Sequence, residues 1–328
     1  ELFKRNSVYP YDFSEVRGQT IVKRAIEVAA SGGHNCLIVG SPGSGKTMLA
    51  QRIPSILPDL TPEEALETTK IYSVAGLLKN GLSLITRRPF RAPHHSISTV
   101  GLVGGGSVPR PGELSLAHNG VLFLDEFPEF RRDATEVMRQ PIEDGEVRIT
   151  RVAASVTYPC RTMLVAAMNP CKCGYYGDRN RKCRCSEASV QRYLSKISGP
   201  LLDRIDIQTE ASSLSYKDIK LPPAETSAQI KKRVVKAREI QAERYKGCGF
   251  YTNAGLSGEN ISKYCELDRE AEKVLKGAFE VMHLSARAHS RILKVSRTIA
   301  DLAGSEKIGM MHVAEAVQYR NLDQKFWG

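Results

Sequence analysis

The sequence predicts an α/β fold, a parallel β-sheet flanked by helices, followed by a smaller helical domain. Two observations predict it. Up to about residue 210, short apolar runs of strand length alternate with helix-like segments, as a parallel sheet requires. From Gly258 onward, apolar residues repeat at helical spacing alone. We therefore predict an α/β core over residues 1–210, a linker and a basic helix over 211–257, and a helical domain over 258–328.

Composition and charge narrow the class of protein. The chain has 328 residues, 41% apolar and 25% charged, which excludes a wholly disordered protein. No apolar run approaches the roughly 18 residues of a membrane-spanning helix, so we expect no membrane partner. The net charge of +11 favours a polyanionic partner. Neither a secretory leader nor an initiator Met precedes Glu1, and we expect a segment of a longer, cytoplasmic protein.

The strongest motif follows the first predicted strand, Cys36–Val39. It is the phosphate-binding pattern Gly40-Ser41-Pro42-Gly43-Ser44-Gly45-Lys46-Thr47, after which Met48 continues into a helix that we expect Pro54 to end. Glycines let backbone N–H groups turn towards phosphates, and the helix N-terminus adds a positive dipole end. Lys46 is expected to reach the β- and γ-phosphates, and Thr47 to bind Mg²⁺. The strand–loop–helix context favours a nucleotide site over a Gly-rich turn of purely structural use.

Two further predicted strands end in polar residues. Val121–Leu124 leads into Asp125, the expected Mg²⁺ ligand, and Glu126, which is placed to polarise an attacking water. Met163–Met168 leads into Asn169, which either orients that water or begins a turn before the following proline. Because the carboxyl ends of parallel strands meet at one edge of a sheet, these groups should lie near the phosphate-binding loop. The sequence therefore predicts ATP and Mg²⁺ as ligands and hydrolysis as the reaction.

Cysteine and histidine residues offer a second possible metal site. Two closely spaced C-x-C pairs consist of Cys171, Cys173, Cys183 and Cys185. Four thiolates suit a tetrahedral Zn²⁺ that stabilises a loop too polar to form its own core. Structural zinc sites usually use a wider spacing within each pair, so free thiols and redox disulfides stay as alternatives. His94 and His95 have no cysteine or carboxylate at ligand spacing, and we expect a loop or subunit contact there rather than a metal.

Several long segments resemble one family, the magnesium-chelatase-like AAA+ ATPases, and within it the YifB/ComM group. The segments that carry the resemblance are Gly40–Thr47, Arg88–His95, Gly104–Glu113, Leu122–Glu126, Ala166–Pro170, Gly199–Asp206 and Ser285–Ala288. More distantly, Leu116–Gly120 is similar to the replicative MCM helicases. The resemblance covers nearly the whole chain, and its long motifs are highly specific.

The resemblance implies an AAA+ core with an insertion in helix 2, a β-hairpin before the sensor-1 strand, and a helical lid. It also implies a ring, usually hexameric, with ATP at the subunit interfaces. On this basis Asn169 is the sensor-1 residue and Arg204 is the arginine finger that reaches a neighbour's γ-phosphate. Arg287 is the sensor-2 arginine of the lid, and Gln19 lies in the loop on the adenine side.

The residues themselves support the two arginine roles unequally. An ion pair with Asp203 or Asp206 would also explain Arg204. Arg287 lies in the first turn of a predicted helix that begins after Ser285, where a cation opposes the helix dipole. A phosphate beside Arg287 would remove that conflict, so we regard its role as the better supported of the two.

Two segments between these motifs are candidates for contact with DNA. Pro89–Gly112 is too rich in Gly and Pro to form one regular element, and Gly145–Tyr158 alternates apolar and polar residues as a β-hairpin does. In this family branch both insertions tend to face the ring pore. If Arg148 and Arg151 of the hairpin project into it, they would neutralise DNA phosphates without reading base sequence. The alternative is a solvated basic loop.

We therefore expect an ATP-hydrolysing, ring-forming motor that acts on DNA. The resemblance implies helicase or branch-migration work in recombination and natural transformation. One alternative is a magnesium-chelatase-type ATPase subunit that drives metal insertion with a protein partner. Another is a protein-remodelling module that uses ATP as an assembly switch.

Overall fold

A five-stranded parallel sheet forms the centre of the α/β part. The computed structural model describes residues 9–78, 83–150, 155–178, 180–220 and 222–327. Its strands are β1 (Cys36–Gly40), β2 (Phe90–Arg91), β3 (Gly104–Gly105), β4 (Arg110–Pro111), β5 (Val121–Leu124), β6 (Glu146–Thr150), β7 (Ser155–Pro159), β8 (Met163–Met168) and β9 (Ile207–Ala211). The sheet has the order β2-β5-β8-β1-β9, and every neighbouring pair is parallel. The predicted α/β fold is thereby confirmed.

Both faces of this sheet are covered. The strands β1, β5 and β8 are buried along their whole length. Successive residues of one strand enter different hydrophobic clusters: Ile38 and Phe123 lie in the first, and Leu37 and Leu122 in the second. Strands buried on both faces need apolar side chains at every position, which explains why these strands are continuous apolar runs.

Helices surround the sheet and form most of the C-terminal part. They are α1 (Thr20–Gly32), α2 (Lys46–Ile56), α3 (Pro62–Val74), α4 (Thr99–Val103), α5 (Glu113–Leu116), α6 (Arg132–Val137), α7 (Arg139–Asp144), α8 (Glu187–Leu194), α9 (Gly199–Leu202), α10 (Tyr216–Ile219), α11 (Ser227–Arg244), α12 (Glu259–Tyr264), α13 (Arg269–Val281), α14 (Ala286–Ala303) and α15 (Met310–Gln318). Short 3₁₀ turns occur at Phe13–Glu15, Phe127–Glu129 and Asn253–Gly255, and a π-helical turn at Asp323–Trp327. Among the described residues, no helix has both the length and the apolar character of a membrane span.

Helix α2 extends further than the sequence predicts. Pro54 lies inside the helix, which continues to Ile56. Proline lacks an N–H, so it removes one hydrogen bond of the last turn. Ile53 and Ile56 are both fully buried in the core, and that packing holds the last turn despite the proline.

The two segments between the nucleotide motifs form small elements beside the sheet. The strands β2, β3 and β4 and the helix α4 come from Pro89–Gly112, which confirms that this segment is not one regular element. The strands β6 and β7 form the predicted antiparallel hairpin, with Val147 opposite Tyr158. The Tyr158 hydroxyl donates a hydrogen bond to the Pro109 carbonyl oxygen at 2.9 Å. The hairpin therefore lies directly against the preceding insertion.

The C-terminal helices pack onto one face of the α/β core. Helix α11 contacts α1 and α2, and helix α14 also contacts α1. The apolar face predicted for the basic helix is buried at Ile230, Val234 and Ala237, and these side chains lie on the side of the core that contains Ile38. The three-part division of the chain stays a prediction, because helices on both sides of the predicted boundaries share this hydrophobic cluster.

Candidate nucleotide-binding site

The loop between β1 and α2 has the geometry that its glycines predict. Gly45 has a φ of 86°, in the left-handed region that favours glycine, and directly precedes the first residue of α2. A Cβ on Gly40 would lie 2.6 Å from the Ala211 carbonyl oxygen, so the end of β9 leaves no room for a side chain there. The loop is therefore held between two strand ends and opens onto the N-terminus of α2.

Lys46 connects this loop to the end of β8. Its Nζ donates hydrogen bonds to the carbonyl oxygens of Gly40 at 2.8 Å and Ser41 at 3.1 Å, and to Asn169 Oδ1 at 3.1 Å. Burial lowers the pKa of the Lys46 ammonium, although Asp125 and Glu126 act in the opposite direction. Lys46, predicted to reach the phosphates, and Asn169, predicted to orient the attacking water, are thus direct neighbours.

The two predicted Mg²⁺ ligands also meet. Thr47 Oγ1 donates a hydrogen bond to Asp125 Oδ2 at 2.6 Å, and the backbone N–H of Glu126 donates to Asp125 Oδ1 at 2.9 Å. A hydroxyl beside a carboxylate is a donor set that suits Mg²⁺, which prefers oxygen ligands and keeps several waters. These residues fit the predicted ion.

Glu126 has a neighbour that sequence spacing does not reveal. Its carboxylate Oε2 lies 3.1 Å from His95 Nδ1, and the side chain is 58% exposed. His95 also contacts the Phe130 ring edge-on and lines, with Glu126, a cavity of about 300 Å³ that includes Thr47 and Asp125. Because β2 pairs in parallel with β5, the segment that follows β2 lies beside the segment that follows β5. The contact of His95 with Glu126 therefore follows from the order of the strands in the sheet, which the sequence motifs do not reveal.

Gln19 hydrogen-bonds to the phosphate-binding loop and to the segment that follows β9. Its Nε2 donates to the Ser44 carbonyl oxygen at 3.0 Å and to the Ser212 carbonyl oxygen at 2.6 Å. Its backbone φ of 54° lies in the left-handed region, which is uncommon for a residue other than glycine. The start of α1, the phosphate-binding loop and the segment after β9 are therefore tied together at one residue. Its predicted position on the adenine side stays a prediction.

The acidic partner of Arg204 is not one of those expected from the sequence. Arg204 Nη2 pairs with Glu143 of α7, and Nη1 donates to the Pro200 carbonyl oxygen at 3.1 Å. The alternative of an ion pair with Asp203 or Asp206 is wrong, because α7 places Glu143 against the guanidinium. The role of Arg204 as an arginine finger stays a prediction.

Arg287 does find an anion, and it is a carboxylate of the same chain. Its Nη1 lies 2.9 Å from Asp203 Oδ2, and Arg291 Nη1 lies 3.4 Å from Asp203 Oδ1. Asp203 therefore offsets the unfavourable position of a cation in the first turn of α14. Since the Arg287 side chain is 65% exposed, it stays accessible to a phosphate as well.

The four clustered cysteines lie close enough to share one ion. Cys171 Sγ lies 3.4 Å from Cys173 Sγ and 3.7 Å from Cys183 Sγ, and the last two are 3.5 Å apart. All four Sγ atoms, including that of Cys185, lie within 4.8 Å of one another. A tetrahedral site with Zn–S bonds of about 2.3 Å has S···S edges of about 3.8 Å. Burial raises the pKa of the Cys173 thiol, but hydrogen bonds from the backbone N–H groups of Arg184 and Tyr175 outweigh it and lower the pKa to about 6. The cluster can hold a metal ion, and zinc stays a prediction.

Of the two predicted DNA-binding arginines, one lies in the described part of the chain. Arg148 is 74% exposed on the hairpin face opposite to the buried Val147 and Ile149, and its Nε donates to Glu146 Oε1 at 2.8 Å. Arg151 lies outside the described residues. The basic helix α11 is also paired with acids, for example Lys231 with Asp59 at 2.6 Å. The positive charge of this helix is therefore partly neutralised within the chain.

This sheet order, phosphate-binding loop and acidic strand end define an ATPase fold of the AAA+ class. The chain belongs to the magnesium chelatase family. The family model "Magnesium chelatase, subunit ChlI" matches residues 12–219 of the sequence, and the family model "Magnesium chelatase, subunit ChlI C-terminal" matches residues 224–320. The family predicted from the sequence is thereby confirmed.

Individual relatives agree with the YifB/ComM group. The chain is 46% identical over 319 residues to "Uncharacterized protein YifB" of Escherichia coli, covering 96% of this chain and 61% of that protein. It is 48% identical over 314 residues to "Competence protein ComM" of Haemophilus influenzae, covering 94% and 60%. A more distant relative, at 21% identity over 333 residues, is "Zygotic DNA replication licensing factor mcm6" of Xenopus tropicalis, covering 94% and 36%. The chain spans about three fifths of the length of YifB and ComM.

Proposed function

We propose that this chain binds and hydrolyses ATP at the mouth of the phosphate-binding loop. One observation carries the proposal: Lys46 hydrogen-bonds to Asn169, and Thr47 to Asp125, so that polar groups from the start of α2 and from the ends of β5 and β8 meet at one edge of the sheet. Residues brought together from distant parts of a chain for stability alone are usually apolar. A polar cluster of this composition, beside a glycine-rich loop at a helix N-terminus, suits a triphosphate and its Mg²⁺.

Each residue has a defined task in this proposal. Lys46 Nζ binds the β- and γ-phosphates, and Thr47 and Asp125 hold the ion through oxygen atoms. Mg²⁺, when bound, neutralises charge that develops on the phosphate oxygens. Glu126 accepts a proton from the attacking water and orients it in line with the γ-phosphate, and Asn169 holds the other side of that water. His95 keeps the exposed Glu126 carboxylate in one position.

The substitution Glu126→Gln tests this assignment. Glutamine keeps the size of the side chain but cannot accept the proton, so we expect ATP binding to persist and turnover to fall by about 100-fold or more. Turnover is measured by phosphate release, and binding by calorimetry. Glu129→Gln is a matched control, because Glu129 lies three residues on and pairs with Lys196 at 2.8 Å. Unchanged turnover in Glu126→Gln would contradict the catalytic role.

We further propose that the ATPase is a ring-forming motor that moves along DNA, with helicase or branch-migration activity in recombination and natural transformation. The net charge of +11, the exposed Arg148 on the hairpin and the similarity to a competence protein support this proposal. The same ATPase assay with single-stranded, duplex and forked DNA tests it. We expect DNA to increase the rate of ATP turnover. A rate that is the same with and without each of the three DNAs would contradict the proposal.

A second candidate is a motor that drives metal insertion, because the matching family models are those of a magnesium chelatase subunit. This candidate, and an ATP-switched remodelling module, both predict stimulation by a protein partner and none by DNA. The DNA-dependence of turnover therefore separates them from the DNA motor.

A further inference from the structure

The loop that carries the four cysteines packs directly against the phosphate-binding loop. Gly174 has a φ of 85°, and a Cβ built on it would lie 2.4 Å from Pro42 Cδ. Its backbone is therefore pressed against the ring of a residue inside the phosphate-binding motif.

The cysteine cluster is also connected to the site along the chain. Asn169, which accepts a hydrogen bond from Lys46, precedes Cys171 by only two residues. Cys171 is buried, while Cys173, Cys183 and Cys185 are partly exposed. The two C-x-C pairs thus lie at the ends of a polar segment. This segment contacts the phosphate-binding loop at Gly174, and it begins two residues after Asn169, which binds Lys46.

Between the cysteines the segment has few apolar side chains of its own, although Tyr176 and the cysteines pack against the second hydrophobic cluster. Lys172, Arg181 and Lys182 are exposed, and Tyr176 against Phe326 is its main aromatic contact among the described residues. The cysteines are free thiols with S···S distances of 3.4 to 3.7 Å, too long for a disulfide at about 2.05 Å. The same distances are close to the edges of a tetrahedral tetrathiolate site, in which a cation offsets the repulsion of the thiolates.

We propose that Zn²⁺ in the four-cysteine cluster braces the phosphate-binding loop, so that zinc occupancy sets the affinity of the chain for nucleotide. This inference rests on the proposed binding of ATP. Zinc binding releases the thiol protons to solvent and closes the segment from Cys171 to Cys185. Gly174 is then fixed against Pro42. Without zinc the segment regains conformational freedom. The entropy lost in ordering this segment and the phosphate-binding loop then opposes nucleotide binding.

The first test measures zinc and nucleotide affinity together. We expect the purified protein to contain about one zinc per chain by elemental analysis. Removal with a zinc-selective chelator, in excess Mg²⁺, should weaken binding of a slowly hydrolysed ATP analogue about tenfold, and added Zn²⁺ should restore it. If the purified protein contains no zinc, or if removal of zinc leaves the affinity for the ATP analogue unchanged, the proposed role of zinc is wrong. Neither result would contradict the proposed binding of ATP. Zinc-loaded protein that binds no nucleotide would overturn both proposals.

The second test leaves the cysteines intact. Gly174 and Gly177 lie in the same loop with positive φ values of 85° and 75°, so alanine causes similar backbone strain at either position. Only at Gly174 does the new Cβ meet Pro42, whereas at Gly177 it makes ordinary contact with Lys325 at 3.5 Å. We expect both variants to keep their zinc, and only Gly174→Ala to bind nucleotide more weakly. Equal nucleotide affinity in the two variants would overturn the coupling.

Discussion

The carboxylate of Glu126 is exposed, and a general base in that position needs a partner to keep it in one rotamer. The residue has a φ of 52°, and this backbone conformation directs it away from the regular course of the strand that precedes it. His95 Nδ1, at 3.1 Å from Oε2, supplies the partner. A histidine that acts through Glu126 in this way is a positioning residue, because it need not touch the nucleotide.

The substitution His95→Ala tests this positioning role. We expect kcat to fall about tenfold with little change in KM or in nucleotide affinity, since the phosphate contacts of Lys46 and the loop are not altered. His95→Gln, which keeps a hydrogen-bond donor near Glu126, should recover much of the rate. Steady-state kinetics and calorimetry on both variants provide the measurement. If kcat stays at the wild-type value in His95→Ala, or if KM alone rises, the role is wrong.

Elements that are contiguous in the chain can be predicted well from the sequence, and contacts between elements cannot. The sequence places the strand, the glycine loop and the start of the following helix because these signals are adjacent in the chain. It ends that helix too early, at Pro54, because burial of Ile56 depends on packing against other elements. It cannot place His95 beside Glu126, since that contact depends on β2 pairing with β5 at the edge of the sheet. The pairs of Arg204 with Glu143 and Arg287 with Asp203 depend on the packing of separate helices in the same way.

The β6–β7 hairpin is the element on which DNA contact can be tested. Arg148 is 74% exposed and pairs with Glu146, and Arg131 is 69% exposed and pairs with Asp133, so the two arginines differ mainly in location. We expect Arg148→Ala to weaken binding of single-stranded DNA and to reduce the slope of log K against log salt by about 0.7 for each phosphate that is no longer neutralised. Arg131→Ala should change neither. The same affinity and salt slope in both variants would exclude Arg148 from the DNA interface.

At the scale of the whole molecule, ion pairs join the ATPase core to the C-terminal helices and make stability depend on pH. Burial raises the pKa of Asp203, but its hydrogen bond with Arg287 and its ion pair with Arg291 outweigh burial, so the pKa lies below the usual value. A folded-state pKa below the unfolded value of about 3.9 means that the carboxylate contributes stability above about pH 4. This contribution disappears as the pH falls through the folded-state pKa.

Asp203→Asn should therefore lower the free energy of unfolding at pH 7, by on the order of 1 kcal/mol after solvent screening. The difference from the wild type should shrink as the pH falls below about 4. Denaturant unfolding between pH 3 and pH 7 measures it. Asp133→Asn serves as the control, because Asp133 pairs with Arg131 at an exposed position of the core, where the loss of stability should be smaller. A difference that does not vary with pH would show that Asp203 acts through packing and not through its charge.

In the proposed ring, each active site would contain residues from two subunits, and mixing two variants tests this arrangement. If Arg204 reaches the γ-phosphate of a neighbour, Arg204→Ala should keep ATP binding and strongly lower turnover, as is expected of Glu126→Gln. In an equimolar mixture, a site is complete when its own subunit carries Glu126 and the neighbour carries Arg204. Random assembly gives one half times one half, so about a quarter of the wild-type turnover should return. A mixture that stays inactive while the wild type turns over, or an active Arg204→Ala variant, would contradict the predicted role of Arg204 as an arginine finger.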